Sequence, residues 1–198
     1  MSLDRLTAYG TVWRRSADQV FHQTDDEEPR IDIYRFPPTR RFWAPANRMY
    51  VYATAGMSDA LQPHASEEPR RIELSAFVRA DGTGPPDKAT DLVARAIHNL
   101  AHEPFRRKLF LGPLHTVDMG EPLVAGSQMT GYFFAVTPGV SQKALGRAAG
   151  RAHLFIQPVP VSATEMALAI EQGSDALLDA LERHSVPPHF DLERTSVV

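Results

Sequence analysis

Cysteine is missing altogether from the 198 residues, which excludes disulfides, thiolate zinc sites, iron–sulfur ligation and a cysteine nucleophile. Charge of one sign is scarce too: 21 Lys and Arg stand against 24 Asp and Glu, a net charge of −3. No overall basic field gathers phosphate, so nucleic acid is not an expected partner. Long apolar runs are also lacking. No stretch approaches the roughly 18 residues that span a bilayer, and the opening, Met1 to Leu6, has no uninterrupted apolar core of a secretion signal. The expectation is a soluble, cytoplasmic protein with no membrane partner.

What is present is globular in balance, with 43% apolar and 23% charged residues, enough for one domain spanning residues 1–198 with a substantial core. Leu3, Leu6 and Tyr9 have helical spacing that stops at Gly10, and Asp25 to Glu28 before Pro29 reads as a solvated acidic turn. Period-two segments follow at Arg30–Phe36, Arg48–Ala55 and Arg71–Arg79. In the last of these Ile72, Leu74, Ala76 and Val78 share one face, the face predicted to pack on the core. The loop Asp81-Gly-Thr-Gly-Pro-Pro86 then leads to a change of period. From about Asp87, Ala89, Leu92, Val93, Ala96, Ile97, Leu100 and Ala101 form one helical stripe, opposed by Asp91, Arg95, His98 and His102, with Pro104 marking the exit.

Strand patterns return near Leu114–Asp118, Gln128–Val136 and His153–Val161, with Gly139–Gly150 as a loop of small and basic residues. Ser162-Ala-Thr-Glu165 has the spacing of a capping box, starting a helix with an apolar stripe of Met166, Ile170, Leu177 and Leu181 that Gly173 breaks or bends. This order of elements predicts an α+β fold, a mixed and largely antiparallel sheet with helices packed against it.

Candidate chemistry has a structural alternative at each point. Gly56-Met-Ser58-Asp59 ends a strand where a nucleophile elbow places serine, but Ala60 stands where the elbow needs a second glycine. The alternative is a tight turn. His98 and His102 are one helical turn apart and could share a metal, but the glutamate of the zinc-protease motif is missing between them. The alternative is a solvated helix face. Asp32 and Glu73 could form an acid/base pair if their strands were neighbours, or each could serve its own structural donors. Tyr34, Phe36, Tyr50, Tyr52, Tyr132 and Phe134 hold same-parity strand positions, either as a packed layer or as an aromatic recognition surface.

Tyr50-Val-Tyr-Ala-Thr-Ala-Gly-Met-Ser-Asp59 followed by Ile72-Glu-Leu74 resembles the Suppressor of fused family. The likeness extends upstream to Val20-Phe-His22 and Ile31–Thr39. Downstream it takes in Gly112-Pro-Leu-His115, Phe155–Glu165 and the closing Asp191, Arg194 and Ser196. Leu92 stands where many members carry a helix tryptophan, and two residues separate Gly112 from His115. The resemblance implies an α+β domain that binds other proteins and has no catalytic centre, cofactor or metal. Eukaryotic members restrain transcription factors in Hedgehog signalling with an additional C-terminal region. Bacterial single-domain members are similar to immunity proteins of polymorphic toxin systems, which neutralise a cognate toxin by occluding it. A toxin domain is therefore the expected partner. The expected partner-binding residues are Tyr50, Tyr52, Gly56, Ser58, Asp59, Glu73 and His115. A hydrolase using Ser58 or a His98/His102 metal site, and a homodimeric structural or regulatory protein, are the competing expectations.

Overall fold

The computed structural model describes residues 3–41, 44–63, 71–80, 87–141 and 154–198. Among them, in chain order, are α1 (Leu3–Trp13), β1 (Gln19–Phe21), β2 (Asp32–Arg41), β3 (Ala44–Ala55), a single 3-10 turn (Met57–Asp59), β4 (Ile72–Arg79), α2 (Asp87–Arg106), β5 (Thr116–Asp118), β6 (Met129–Val136), β7 (Leu154–Ser162), α3 (Ala163–Gln172) and α4 (Ser174–Arg183). The strands make one seven-stranded sheet in the order β1-β2-β3-β4-β7-β6-β5. Every pairing is antiparallel except β4 with β7. This is the mixed, largely antiparallel α+β architecture expected from the order of elements. No helix among the described residues is long and apolar enough to cross a membrane. The loop expected at residues 81–86 lies outside the described residues, as does most of the one at Gly139–Gly150.

Helices cover both faces of the sheet. On one side α2 lays Val93, Ile97, Leu100 and Ala101 on Tyr50, Tyr52, Leu74, Tyr132, Phe134 and Ile156. On the other, α1 brings Tyr9 and Trp13 onto Tyr34, Phe36, Val51, Phe77 and Phe155, and α3 with α4 covers Phe133 and Val161. The ring of Trp13 lies 6.1, 6.0 and 5.5 Å from those of Phe36, Phe77 and Phe155. Truncating such a residue to alanine costs about 3–5 kcal/mol.

Several expectations are corrected by this packing. α1 continues through Gly10 to Trp13, because burial of Trp13 outweighs the cost of a helical glycine. β1 gave no periodic signal, being three residues long. In β4 the second face is covered as well, by α1, since the strand lies in mid-sheet. The aromatic set is divided. Register pairs Tyr34 with Ala53 and Arg35 with Tyr52, so Tyr34 and Phe36 face α1 while Tyr50, Tyr52, Tyr132 and Phe134 face α2; parity within one strand says nothing of parity in the next. Ile170 is 79% exposed and leaves the stripe to Met166, Leu177 and Leu181. Pro104 sits inside α2, in its last turn.

The prolines of β7 explain a further feature. The parallel register runs Ile72↔Leu154, Glu73↔Phe155, Leu74↔Ile156 and stops. Leu154 donates its N–H to β4 at Arg71, so the alternating positions that follow toward β4 are Ile156, Pro158 and Pro160, and a proline has no N–H to give. The sheet opens there, and residues 190–196 fill the opening. Phe190 N–H donates to the Phe77 carbonyl of β4 at 2.7 Å, and Arg194 donates through Nε to the Pro160 carbonyl of β7 at 3.0 Å. The same guanidinium grips Glu165 through both oxygens. Glu165 completes the capping box with Ser162 that starts α3. Gly173, at φ 94°, separates α3 from α4.

Candidate functional site

β3 ends in a turn whose geometry depends on glycine. Gly56 has φ 133°, and a Cβ there would stand 2.0 Å from the Arg30 carbonyl oxygen. Chain direction therefore changes over Gly56 with residues 30 and 31 pressed against its backbone. The turn is held from beneath by the Glu73 carboxylate, which is fully buried. Its Oε1 accepts from Gly56 N–H at 3.2 Å, Ser58 N–H at 3.1 Å and Ser58 Oγ at 2.6 Å, and its Oε2 accepts from Thr54 Oγ1 at 2.6 Å. Arg71 closes the far side, donating through Nη1 to the carbonyls of Ser58 at 2.6 Å and Asp59 at 2.9 Å.

This arrangement decides the chemistry open to Ser58. Ser58 is 1% exposed and its hydroxyl donates to the Glu73 carboxylate, so among the described residues the group placed to take its proton is a carboxylate and not an imidazole. Glu73 is occupied in the same way, and Asp32 serves a different set, accepting from Gln23 N–H at 3.1 Å and lying 3.3 Å from His22 Nδ1. β3 runs between the strands that carry them, so Asp32 and Glu73 each follow the structural alternative.

Of the surface next to the turn, Asp59 and His115 were expected from the sequence and their apolar neighbours were not. Asp59 is exposed and Leu61 is 54% exposed. Gln62, buried behind them, accepts the Leu111 N–H at 2.7 Å, which joins the turn to the segment 109–115. That segment presents Leu114, 37% exposed, and the exposed His115, whose Nδ1 lies 3.1 Å from the Phe110 carbonyl and whose ring meets Phe110 edge-on at 5.4 Å. Asp59 and His115 thus fall on one end of the molecule. Tyr50 and Tyr52, 6% and 0% exposed, lie under α2 instead, with the Arg35 guanidinium over the Tyr50 ring at 5.4 Å. Leu61, Gln62 and Leu114 carried no sequence signal, since isolated leucines read as core and the Gln62 contact spans 49 residues.

The histidines of α2 depart from expectation. His102 is fully buried because residues 22–31 cross over the helix, tied by Glu27 to Arg106 Nε at 2.6 Å. His98 lies 4.7 Å from it, ring to ring, so the solvated-face alternative fails for His102. Among the described residues no group of three His, Asp or Glu side chains could hold a metal ion. A cleft of about 450 Å³ opens between α2 and residues 21–25, lined by Phe21, His22, Asp25, Arg95 and His98. A second, of about 350 Å³, separates α2 from residues 119–123.

The model of the family described as Suppressor of fused protein matches residues 27–195. Solved structures with the same fold include a Suppressor of fused homologue from Neisseria gonorrhoeae, 17% identical over 98% of this chain and 95% of that one, with a TM-score of 0.63. A chain from the Sufu–Fu complex is 14% identical over 97% of this chain and 90% of that one, with a TM-score of 0.68. Drosophila Suppressor of Fused is 14% identical over 84% of this chain but only 42% of its own length, with a TM-score of 0.57. Comparison with curated proteins gives no match.

Proposed function

Since the chain belongs to the Suppressor of fused family, we propose that it is a non-enzymatic protein-binding domain whose partner is a bacterial toxin domain, neutralised by being covered. The observation that carries this reading is the state of the turn at the end of β3. Its most reactive side chains, Ser58 and Glu73, are buried and bonded to one another, while Asp59, Leu61, Leu114 and His115 stand outward around it. Such a site is built to hold a surface in shape rather than to turn over a substrate. The similar chain from the Sufu–Fu complex was crystallised with a protein partner, which supports the same class of role. The Neisseria gonorrhoeae homologue supports a bacterial setting.

In this reading Asp59 and His115 contact the partner directly, with Leu61 and Leu114 as the apolar centre. Gly56, Ser58 and Glu73 set the turn, and Tyr50 and Tyr52 fix the strand behind it. Occluding an active site takes about 800 Å² per partner, with a few anchors carrying most of the affinity. The test is to tag the chain, express it in its own host and identify what copurifies at near-equal stoichiometry. A single partner with a toxin domain, inhibited on binding, is the expected result. Leu61→Asp should weaken that binding at least tenfold with the unfolding midpoint unchanged. Absence of a stoichiometric partner from cells that express candidate toxins overturns the toxin assignment.

A further inference from the structure

We propose that residues 22–31 are an acid-released strap: protonation of the buried His102 detaches them from α2 and widens the cleft between strap and helix. The strap is folded on itself by Gln23, whose Nε2 donates to Asp25 Oδ1 and the Glu27 carbonyl, both at 2.6 Å, and whose Oε1 accepts the Ile31 N–H at 2.6 Å. It is fastened to the helix by Glu27, which Arg106 meets through Nε and Nη2. Its far end rests on Gly56. Between the two attachments lies His102, fully buried, with no hydrogen-bond partner at either ring nitrogen.

An imidazole in that position is held neutral, and neither of its nitrogens is satisfied while the strap is closed. The groups facing it are Asp25 and Glu27 from the strap and His98 and Arg106 from its own helix; Glu103 is occupied by Arg107 and Arg106, and His22 stands at the strap entrance against Asp32. The Glu27 Oε1 is 3.7 Å from His102 Nδ1 and already shared with Arg106. A charged His102 is attracted to Glu27, but the cost of burying the charge is larger than that attraction, and it stands next to a second imidazole whose Nε2 also lacks a hydrogen-bond partner. Opening the strap supplies the hydration that the closed state withholds.

The sign follows from burial. Burial pushes the His102 pKa below its ordinary 6.5, so the closed strap is favoured above that value and loses this contribution as pH falls from 6.5 through the lowered value. Glu27 is held below its ordinary 4.5, first by its hydrogen bond to Arg106, so it is charged across the interval from 6.5 down to 4.5. The trigger between those two values is therefore the histidine.

Amide hydrogen exchange at pH 7.5 and 5.5, corrected for intrinsic rates, tests this on the full chain. Protection across residues 23–31 should fall at least tenfold on acidification while that of β6 holds within twofold, and in His102→Phe the fall should vanish. Arg106→Gln should leave the strap weakly protected at both values. Protection of 23–31 that holds or rises at pH 5.5, an equal fall in His102→Phe, or a loss shared with β6 overturns the proposal. Should the Phe variant not fold, the His102 ring is titrated by NMR in the wild type. Strap amide shifts with the ring's midpoint support the strap, and a different midpoint overturns it.

Discussion

Two segments are laid onto the framework of sheet and helix, one between β4 and β7 and one over α2, and each is pinned by a glutamate–arginine pair. The C-terminal segment is fastened where β4 and β7 part. There Glu165, with no exposed side chain, meets Arg194, 9% exposed, and also accepts from the backbone of Ser162 and Val197. The strap over α2 is fastened by Glu27 and Arg106, whose side chains are 27% and 39% exposed, beside an imidazole with no hydrogen-bond partner. The pairs are alike in chemistry and opposite in setting. Around Glu165 every facing group is a donor that strengthens the carboxylate, so the pin is permanent. Around Glu27 one facing group is a titratable ring that the closed state leaves unsatisfied, so the pin is conditional. Burial with a complete set of hydrogen bonds makes a joint; partial exposure beside an orphaned base makes a latch.

The largest effect should come from breaking the joint. Arg194→Ala leaves a buried carboxylate without its counter-ion, which costs about 3–5 kcal/mol, read as a lower urea midpoint at unchanged slope. A loss no greater than that of Arg106→Gln would erase the distinction. The pH dependence has a defined sign as well. Burial alone would raise the Glu165 pKa, but Arg194 and the amides of Ser162 and Val197 outweigh it and hold the carboxyl below its ordinary 4.5. Its contribution is thus present above that value and lost as pH falls through the lowered one. In Arg194→Ala the acid transition should move to higher pH.

The next effect sharpens the comparison from the strap's far end. Gly56→Ala drives a Cβ to within 2.0 Å of the Arg30 carbonyl oxygen at a φ of 133°. Backbone strain of this kind costs about 1–3 kcal/mol before the clash is relieved. Exchange should quicken first across residues 29–31 and around Ser58, since these lie on either side of the contact. Ser58→Ala, which removes one hydroxyl from the Glu73 carboxylate, should cost about 1–3 kcal/mol and leave the strap closed. If Ser58→Ala opens the strap as Gly56→Ala does, the turn and strap form one unit and the latch is not local.

The sequence made the cap at Ser162 and Glu165 legible and concealed both arginine partners, Arg194 of the joint and Arg106 of the latch. Ser162 and Glu165 are three residues apart and announce a cap by spacing alone. Strands appeared through alternation, α2 through its stripe, and the family likeness at Tyr50–Asp59 and Ile72–Leu74 marked the turn. Which face each strand presents depends on register, which is why Tyr34 and Tyr52 seemed to belong together and were found on opposite sides. The latch is a set of contacts across 79 residues, from Glu27 to Arg106, and an acidic run before a proline looks the same whether it is solvated or lies across a helix. His102 likewise sat on the polar side of α2 by period and became buried through a segment that carries no periodic signal.

The smallest expected effect is the most discriminating. Arg106→Gln removes a pair open to solvent, and exposed pairs contribute about 0.2–1 kcal/mol, so global stability at pH 7.5 should hardly change. Strap protection should fall all the same, because local opening needs only the free energy of its own fastening and not that of the whole fold. In a double-mutant cycle with Glu27→Gln, the coupling should shrink as salt is added, since half-exposed charges are screened over about 10 Å at 0.1 M. The corresponding cycle for Arg194 and Glu165 should be nearly insensitive to salt. Equal salt dependence at the two sites would mean that exposure does not separate joint from latch, and that the orphaned His102 alone makes the strap conditional.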